Sequence, residues 1–183
     1  MPHIHEDYLT AVQDLVRRYQ PKRILKTDCW NEADGDTPIA NVIGAECVEI
    51  DSDCVRRAQS KFPGLVATVG DIRAMPYENK IFDMLVDLST IDHMFDYQVA
   101  LDEYVRVTKD GGVVYIVVWV SADPCDYERE DGSHFDPTGQ YRQYYFSEAK
   151  FLGSLNRTFR NVVHGVFPHF KGVRTLHWFE CVV

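Results

Sequence analysis

Val113–Val120 reads VVYIVVWV, an unbroken apolar run rich in β-branched side chains. It is far too short to cross a bilayer and suits a strand buried on both faces. Working back from it, Asp110-Gly111-Gly112 turns the chain. Gln98–Thr108 predicts a helix, with Asp102 and Arg106 spaced for an i,i+4 ion pair. Ile81–Leu88 and Leu65–Val69 read as strands, the latter preceded by the punctuation of Pro63-Gly64. Ala45–Ile50 is a further strand, closed by Asp51-Ser52, an N-cap pair for a helix over Asp53–Lys61. Ile24 and Leu25 open the first strand. Before it, Tyr8, Leu9, Val12, Leu15, Val16 and Tyr19 recur at helical spacing over Glu6–Tyr19, and Pro21 ends that helix.

Strand and helix therefore alternate through about residue 120, the signature of a parallel sheet covered on both faces. Downstream, Ser121–Tyr145 is polar and aromatic-rich and holds Pro124, Gly132, Pro137 and Gly139. A loop of that length in a compact domain is usually functional or mobile. Ser147 caps a helix through about Leu155, and strands near Asn161–Phe167 and Thr175–Val183 close the chain, the second inserting as a hairpin partner. The expected fold is α/β and doubly wound, a mostly parallel seven-stranded sheet with an antiparallel C-terminal strand. It forms one domain over 1–183, with an N-terminal helix in 1–20 and a long substrate-side loop over 121–145.

Composition fits a globular domain: 45% of the 183 residues are hydrophobic and 26% charged. Lys and Arg number 19 against 28 Asp and Glu, a formal net charge of −9, which argues against a protein that tracks nucleic-acid phosphates. The opening MPHIHEDYLT lacks a basic segment followed by an apolar core, so no signal peptide is expected. Cys29, Cys47, Cys54, Cys125 and Cys181 are odd in number and form no CxxC, as expected of reduced thiols in a cytoplasmic protein. His3, His5, His164 and His169 show no metal-binding spacing, so no metal is expected. There is no G-x-S-x-G elbow and no P-loop. The 11 glycines begin only at Gly35.

In open α/β sheets, ligands bind beyond the carboxyl ends of the strands, where strand order reverses. Those ends carry acids here. Asp51 follows the second strand, where a carboxylate accepts from both hydroxyls of a ribose. Asp71 follows Gly70 after the third, where an acid accepts from an adenine amino group while Ile72 packs on the ring. A nucleoside-containing ligand explains this economically. The plainer alternatives are that Asp51 is a helix cap and Asp71-Ile72-Arg73 a solvated turn.

The runs GAECVEIDSDCVRRAQ, VATVGDIRAMPYENKIFDMLV and ALDEYVRVTKDGGVVYIVVWV resemble class I S-adenosylmethionine-dependent methyltransferases. The likeness covers roughly residues 22–121 closely and the last two strands in outline. It implies S-adenosylmethionine as cofactor, with Asp51 and the adjoining Ser52 at the ribose, Asp71 and Ile72 at the adenine, and Asp87, Leu88 and Ser89 near the reactive methyl. The first loop departs from the family. Where D/E-x-G-x-G is usual, this chain has ILKTDCWNEA over Ile24–Ala33. A subgroup of bacterial methyltransferase-like proteins reads similarly, L-K-T-D-x-x-x-E-A with a later S-T-[LI]-D-H. This chain carries both, at Leu25–Ala33 and Ser89–His93.

Two readings of that loop follow. In one, Lys26, Asp28 and Glu32 form a substitute device beside Trp30, with Lys26 pairing a carboxylate of the cofactor or of Asp28. In the other, the fold keeps its adenosine end and has lost methyl transfer. Methyl transfer by direct displacement needs alignment, plus a base if the acceptor must lose a proton. His93, just past the fourth strand, is the candidate base; a structural histidine is the alternative. Tyr127, His134 and Tyr141 either line an acceptor pocket or anchor a surface loop. The resemblance thus implies methylation of a small molecule or exposed side chain, without nucleic acid or membrane, in an oligomeric state the sequence does not specify. The alternative is a non-catalytic protein that binds an adenosine-type ligand or a protein partner. A nicotinamide dehydrogenase ranks well below methyl transfer, since it needs the glycine-rich turn that is missing.

Overall fold

The computed structural model describes residues 4–121, 127–130, 142–168 and 174–183. Helix α1 (Ile4–Tyr19) leads to β1 (Ile24–Lys26), the short helices α2 (Trp30–Ala33) and α3 (Ile39–Ile43), β2 (Glu46–Glu49), α4 (Ser52–Lys61) and β3 (Ala67–Val69). Next come β4 (Phe82–Leu88), a 3-10 turn (Ile91–His93), α5 (Tyr97–Val107) and β5 (Thr108–Ser121). The chain closes with β6 (Tyr127–Glu130), β7 (Arg142–Ser147), α6 (Glu148–Thr158), β8 (Asn161–Val166) and β9 (Arg174–Val182).

The strands β3-β2-β1-β4-β5 pair in that order and all in parallel. β9 then runs antiparallel between β5 and β8, as the closing hairpin predicted. Strand order reverses at β1, flanked by β2 and β4, so the carboxyl end of β1 is where this topology is expected to bind a ligand.

Alternation along the apolar run explains its composition. Val114, Ile116, Val118 and Val120 face one core with Leu101 and Tyr104 of α5 and Phe151 and Leu155 of α6. Val113, Tyr115 and Val117 face the other core, with Val12 and Leu15 of α1, Ile39 of α3 and Ala58 of α4. Both faces are covered, so no polar side of the sheet exists for these residues to alternate with.

Several local expectations change. β5 continues through Asp110-Gly111-Gly112 instead of starting after it, with a register shift against β4 between Phe82 and Met84. Gly111 takes φ +77°, and a Cβ on Gly112 would lie 2.9 Å from the Asp83 carbonyl oxygen, so both glycines serve this irregular entry. Arg106 does not pair with Asp102. It grips Glu103 at 2.6 Å and donates to the carbonyls of Met75 and Tyr77, because those acceptors lie in a partly buried notch, while Asp102 accepts from Gln98. The stretch expected as one loop over 121–145 contains β6, which pairs antiparallel with β7. Ser147 occupies the cap position of α6 but makes no side-chain cap. The first loop ends in the short helix α2, and α3 follows it. Among the described residues no helix is long and apolar enough to cross a membrane.

Candidate functional site

The carboxyl ends of β1 and β4 meet in a buried polar network. Lys26 ends β1, and its side chain is 0% exposed. Its Nζ donates to Asp28 Oδ1 at 2.6 Å and to the Asp28 carbonyl at 3.0 Å, with Glu32 Oε2 at 3.9 Å. Burial alone would lower the Lys26 ammonium, but Asp28 and Glu32 hold it above its ordinary value. Lys26 therefore pairs the acid of its own loop. Asp28 Oδ1 also accepts from the Trp30 amide at 2.9 Å, which starts α2. Glu32, fully buried, accepts from the Ala40 amide at 2.6 Å and so ties α2 to α3; burial raises its carboxyl above the usual range. An acid–lysine frame thus does the turning work that glycines would do in a tighter loop.

Glu49, at the end of β2, had not been singled out from sequence. Its two oxygens accept from the Asp51 amide at 3.0 Å and the Cys29 amide at 3.3 Å, which bridges β2 to the first loop. Burial raises its carboxyl, and Asp28 adds to the shift. An acid one residue before Ile50-Asp51 is a weak signal, visible only once the loop above it is in place.

On the β4 side, Asp87 is 0% exposed and accepts from the Thr90 amide at 2.8 Å, the Ile91 amide at 3.1 Å and the Tyr104 hydroxyl. Burial pushes its carboxyl up to about 7. Leu88 is buried in the core shared with α1 and α4. Ser89 follows at φ +68°, a conformation uncommon for a residue with a side chain. Its hydroxyl donates to Asp92 Oδ2 at 2.8 Å, and the Trp119 amide reaches the same oxygen at 3.2 Å. Asp92, fully buried and raised by that burial, had also been missed as a member of the site. Thr90 links the two sides: its hydroxyl donates to Asp28 Oδ2 at 3.2 Å and meets the Thr27 hydroxyl at 3.0 Å. His93 ends the 3-10 turn, half-buried, its amide donating to the Thr90 carbonyl at 3.1 Å.

The N-terminal helix lies against this loop. His5 meets Asn31 at 3.1 Å and faces the Trp30 ring with centroids 5.4 Å apart. Tyr8 is 3% exposed, and burial raises its hydroxyl, with Asp92, Asp87 and Asp28 adding to the shift.

The β2–β3 end is built differently. Asp51 caps α4, one oxygen accepting from the Asp53 amide at 2.8 Å, and Ser52 is the exposed first residue of that helix. Asp71 is gripped by Arg73, Nε at 3.0 Å and Nη2 at 2.6 Å, and this contact holds its carboxyl below the usual range. Ile72 is 4% exposed and packs in the core with Leu25, Val48 and Met75. Ile50, beside Asp51, is 66% exposed. The structure brings Lys26, Asp28, Asp87 and Ser89 into one network, while Asp51 and Asp71 stand apart from it. Tyr127 lies on β6; His134 and Tyr141 lie outside the described residues.

Residues 36–116 match the family model of a methyltransferase domain. No curated protein matches the chain. Among solved structures, the chain is similar to an amino pentose methyltransferase from Micromonospora echinaspora, solved with S-adenosylmethionine bound, at 14% identity over 97% of this chain and 92% of that one (TM-score 0.66). A 1,6-didemethyltoxoflavin-N1-methyltransferase from Burkholderia thailandensis matches at 14% identity over 99% and 79% of the two chains (TM-score 0.69). An S-adenosylmethionine-dependent methyltransferase from Methanosarcina mazei matches at 13% over 92% and 97% (TM-score 0.69). At these identities the likeness is one of fold, and it bears out the architecture expected from the strand pattern.

Proposed function

We propose, for a chain that carries a methyltransferase domain in the class I fold, that it transfers the methyl group of S-adenosylmethionine to a small molecule or an exposed side chain. One observation carries the reading: the network at the β1 and β4 ends is rich in carboxyl groups. Asp28 holds the Lys26 ammonium, with Glu32 and Glu49 near it, and Asp87 and Asp92 are buried at the adjoining β4 end. Glu32 Oε2 and Asp92 Oδ1 are buried without a hydrogen-bond partner among the described residues. Such a donor set suits a ligand bearing an ammonium and a sulfonium. When bound, that sulfonium supplies an activated methyl group.

The chain's own residues then divide the work. Asp51 uses one oxygen on its helix cap, and the lone pairs of the other serve ribose hydroxyls, with Ser52 beside it. Ile50 offers the adenine an exposed apolar face, and Ile72 backs the Asp71 turn from the core. Asp71 accepts from the adenine amino group. Lys26, Asp28 and Trp30 shape the methionine end, and Asp87, Leu88 and Ser89 line the methyl. His93 acts as the base for an acceptor that must lose a proton. The amino pentose and didemethyltoxoflavin named for the similar structures favour a small-molecule acceptor here. The whole of 1–183 is read as one such unit, working in the cytoplasm.

A second reading, an adenosine-ligand binder without catalysis, is favoured by a specific feature: Lys26, at the methionine end, is committed to Asp28. Calorimetry with S-adenosylmethionine and its demethylated product, S-adenosylhomocysteine, followed by a methyl-transfer assay on candidate acceptors, separates the two. Both ligands are expected to bind, and Asp51→Ala to weaken them by about tenfold, the worth of a hydrogen bond to a charged group. No heat at millimolar ligand overturns the enzyme reading. Binding that Asp51→Ala leaves unchanged overturns the site assignment instead.

A further inference from the structure

Away from the strand ends, α6 delivers its first residue, Glu148, to the β8–β9 ladder. His164 of β8 pairs with Phe179, and His177 of β9 pairs with Val166, so the two imidazoles stand diagonally on one face. Glu148 Oε1 lies 3.9 Å from His164 Nδ1 and 3.8 Å from His177 Nδ1. One ligand atom from each of the three residues falls within 4.8 Å of the others.

The rings are held in place. His164 stacks on Phe179 with centroids 5.6 Å apart at 13°, and His177 stands 6.2 Å from the same ring at 22°. On the other face of β8, Gly165 admits the Trp178 ring, which would lie 2.5 Å from any Cβ there. The His177 side chain is 5% exposed, and its Nδ1 is buried with no hydrogen-bond partner among the described residues. Its Nε2 meets the Thr175 hydroxyl at 2.8 Å. A buried ring nitrogen left bare is costly, and such groups in native proteins call for a partner. With the ring hydrogen on Nε2 and donated to the Thr175 hydroxyl, Nδ1 presents a bare lone pair, the arrangement of a metal-binding histidine with its outer partner in place.

We propose that Glu148, His164 and His177 bind a divalent transition-metal ion of the Zn²⁺ class, clipping α6 to the β8–β9 hairpin. Two imidazole nitrogens and a carboxylate oxygen are a zinc ligand set, whereas Ca²⁺ and Mg²⁺ favour oxygen donors throughout. Zinc bonds of about 2.0–2.2 Å require Glu148 Oε1 to close on each imidazole by roughly half an ångström, and the two imidazole nitrogens to close on each other by up to about 1.5 Å. Glu148 and His164 are partly exposed side chains with room for that movement. The fourth position opens to solvent and is filled by water. No spacing motif announces the site, because its ligands come from three separate elements.

A second cluster provides the competing explanation for any bound metal. Cys29, Glu49 and Cys54 also converge, with the two sulfurs 3.8 Å apart. The test is a titration of chelator-stripped protein with Zn²⁺ against a chromogenic competitor, and with Co²⁺ as a spectroscopic probe. Expected is one equivalent of Zn²⁺ and a Co²⁺ spectrum without a thiolate charge-transfer band. His164→Ala and Glu148→Gln should each weaken binding by about a hundredfold or more, since losing even a supporting partner costs about 10–100-fold. Thr175→Val should weaken it by about tenfold. Absence of stoichiometric Zn²⁺ overturns the proposal. So does binding unchanged by both ligand variants, or a thiolate band, which would assign the metal to Cys29 and Cys54.

Discussion

At the β2–β3 end of the sheet's carboxyl edge, Asp51 and Asp71 are partly exposed, and each is satisfied by a group two residues along the chain. At the β1–β4 end, Lys26, Glu32, Asp87 and Asp92 are fully buried and partnered across α2, α3, α5 and β5, with Glu32 Oε2 and Asp92 Oδ1 left bare among the described residues. The first plan is cheap and local. The second costs desolvation and returns it only if every partner is present. A ligand meeting the first end finds acceptors near water; at the second it meets a rigid, carboxyl-rich wall whose charge is already partly set. The comparison therefore predicts unequal responses to substitution.

The largest effect should come from Lys26→Met. It leaves Asp28 and Glu32 without their cation, and breaking a buried pair from one side costs about 3–5 kcal/mol. Urea denaturation should show that loss, against about 0.5–2 kcal/mol for Asp51→Ala, which removes only a helix cap. Adding Glu32→Gln to Lys26→Met should recover part of the stability, because the second uncompensated charge is then gone. Equal costs for Lys26→Met and Asp51→Ala would mean the two ends are not built on different plans.

The next effect is a pH dependence. The Asp87 carboxyl, raised by burial to about 7 from an ordinary 3.8, keeps its proton in the folded state over a range where the unfolded chain has lost it. The folded state then binds more protons, so this contribution to stability is fully present below about pH 4 and is lost as pH rises through about 7. Glu32, Glu49 and Asp92 are raised in the same direction and share the slope. Asp87→Asn should flatten the fall in urea midpoint across that window without abolishing it. A slope identical to that of the unaltered protein would show that Asp87 is ionised throughout.

These differences also mark what the sequence discloses. The fold was legible because burial on both faces leaves its mark residue by residue in Val113–Val120, and because Asp51 and Ser52 announce a helix start by local chemistry. Asp51 and Asp71 could be picked out for the same reason: their partners are neighbours in the chain. The β1–β4 network was only half legible. Lys26, Asp28 and Glu32 stood out as a departure from glycine. Glu49, Asp92 and Tyr104 take their roles from contacts across elements, such as Tyr104 of α5 with Asp87, and no spacing encodes those. Arg106 makes the same point from the other side, since its tertiary acceptors displace the helical pair with Asp102.

The smallest effect on stability, and the sharpest on the comparison, concerns Asp71. Its pair with Arg73 is partly exposed, and such pairs contribute about 0–1 kcal/mol. Asp71→Ala should therefore shift the unfolding midpoint little. If Asp71 accepts from an adenine amino group while held by Arg73, the same change should weaken S-adenosylhomocysteine binding by about tenfold, as expected for losing a hydrogen bond to a charged acceptor. Arg73→Ala serves as the control: it removes the guanidinium but leaves the carboxylate, so affinity should change by less than for Asp71→Ala. Calorimetry on the two variants reads both quantities. Affinity untouched by Asp71→Ala would reduce that carboxylate to a device for closing the Asp71–Ala74 turn, and adenine recognition at this end would then rest on Ile50 and the ribose contacts of Asp51.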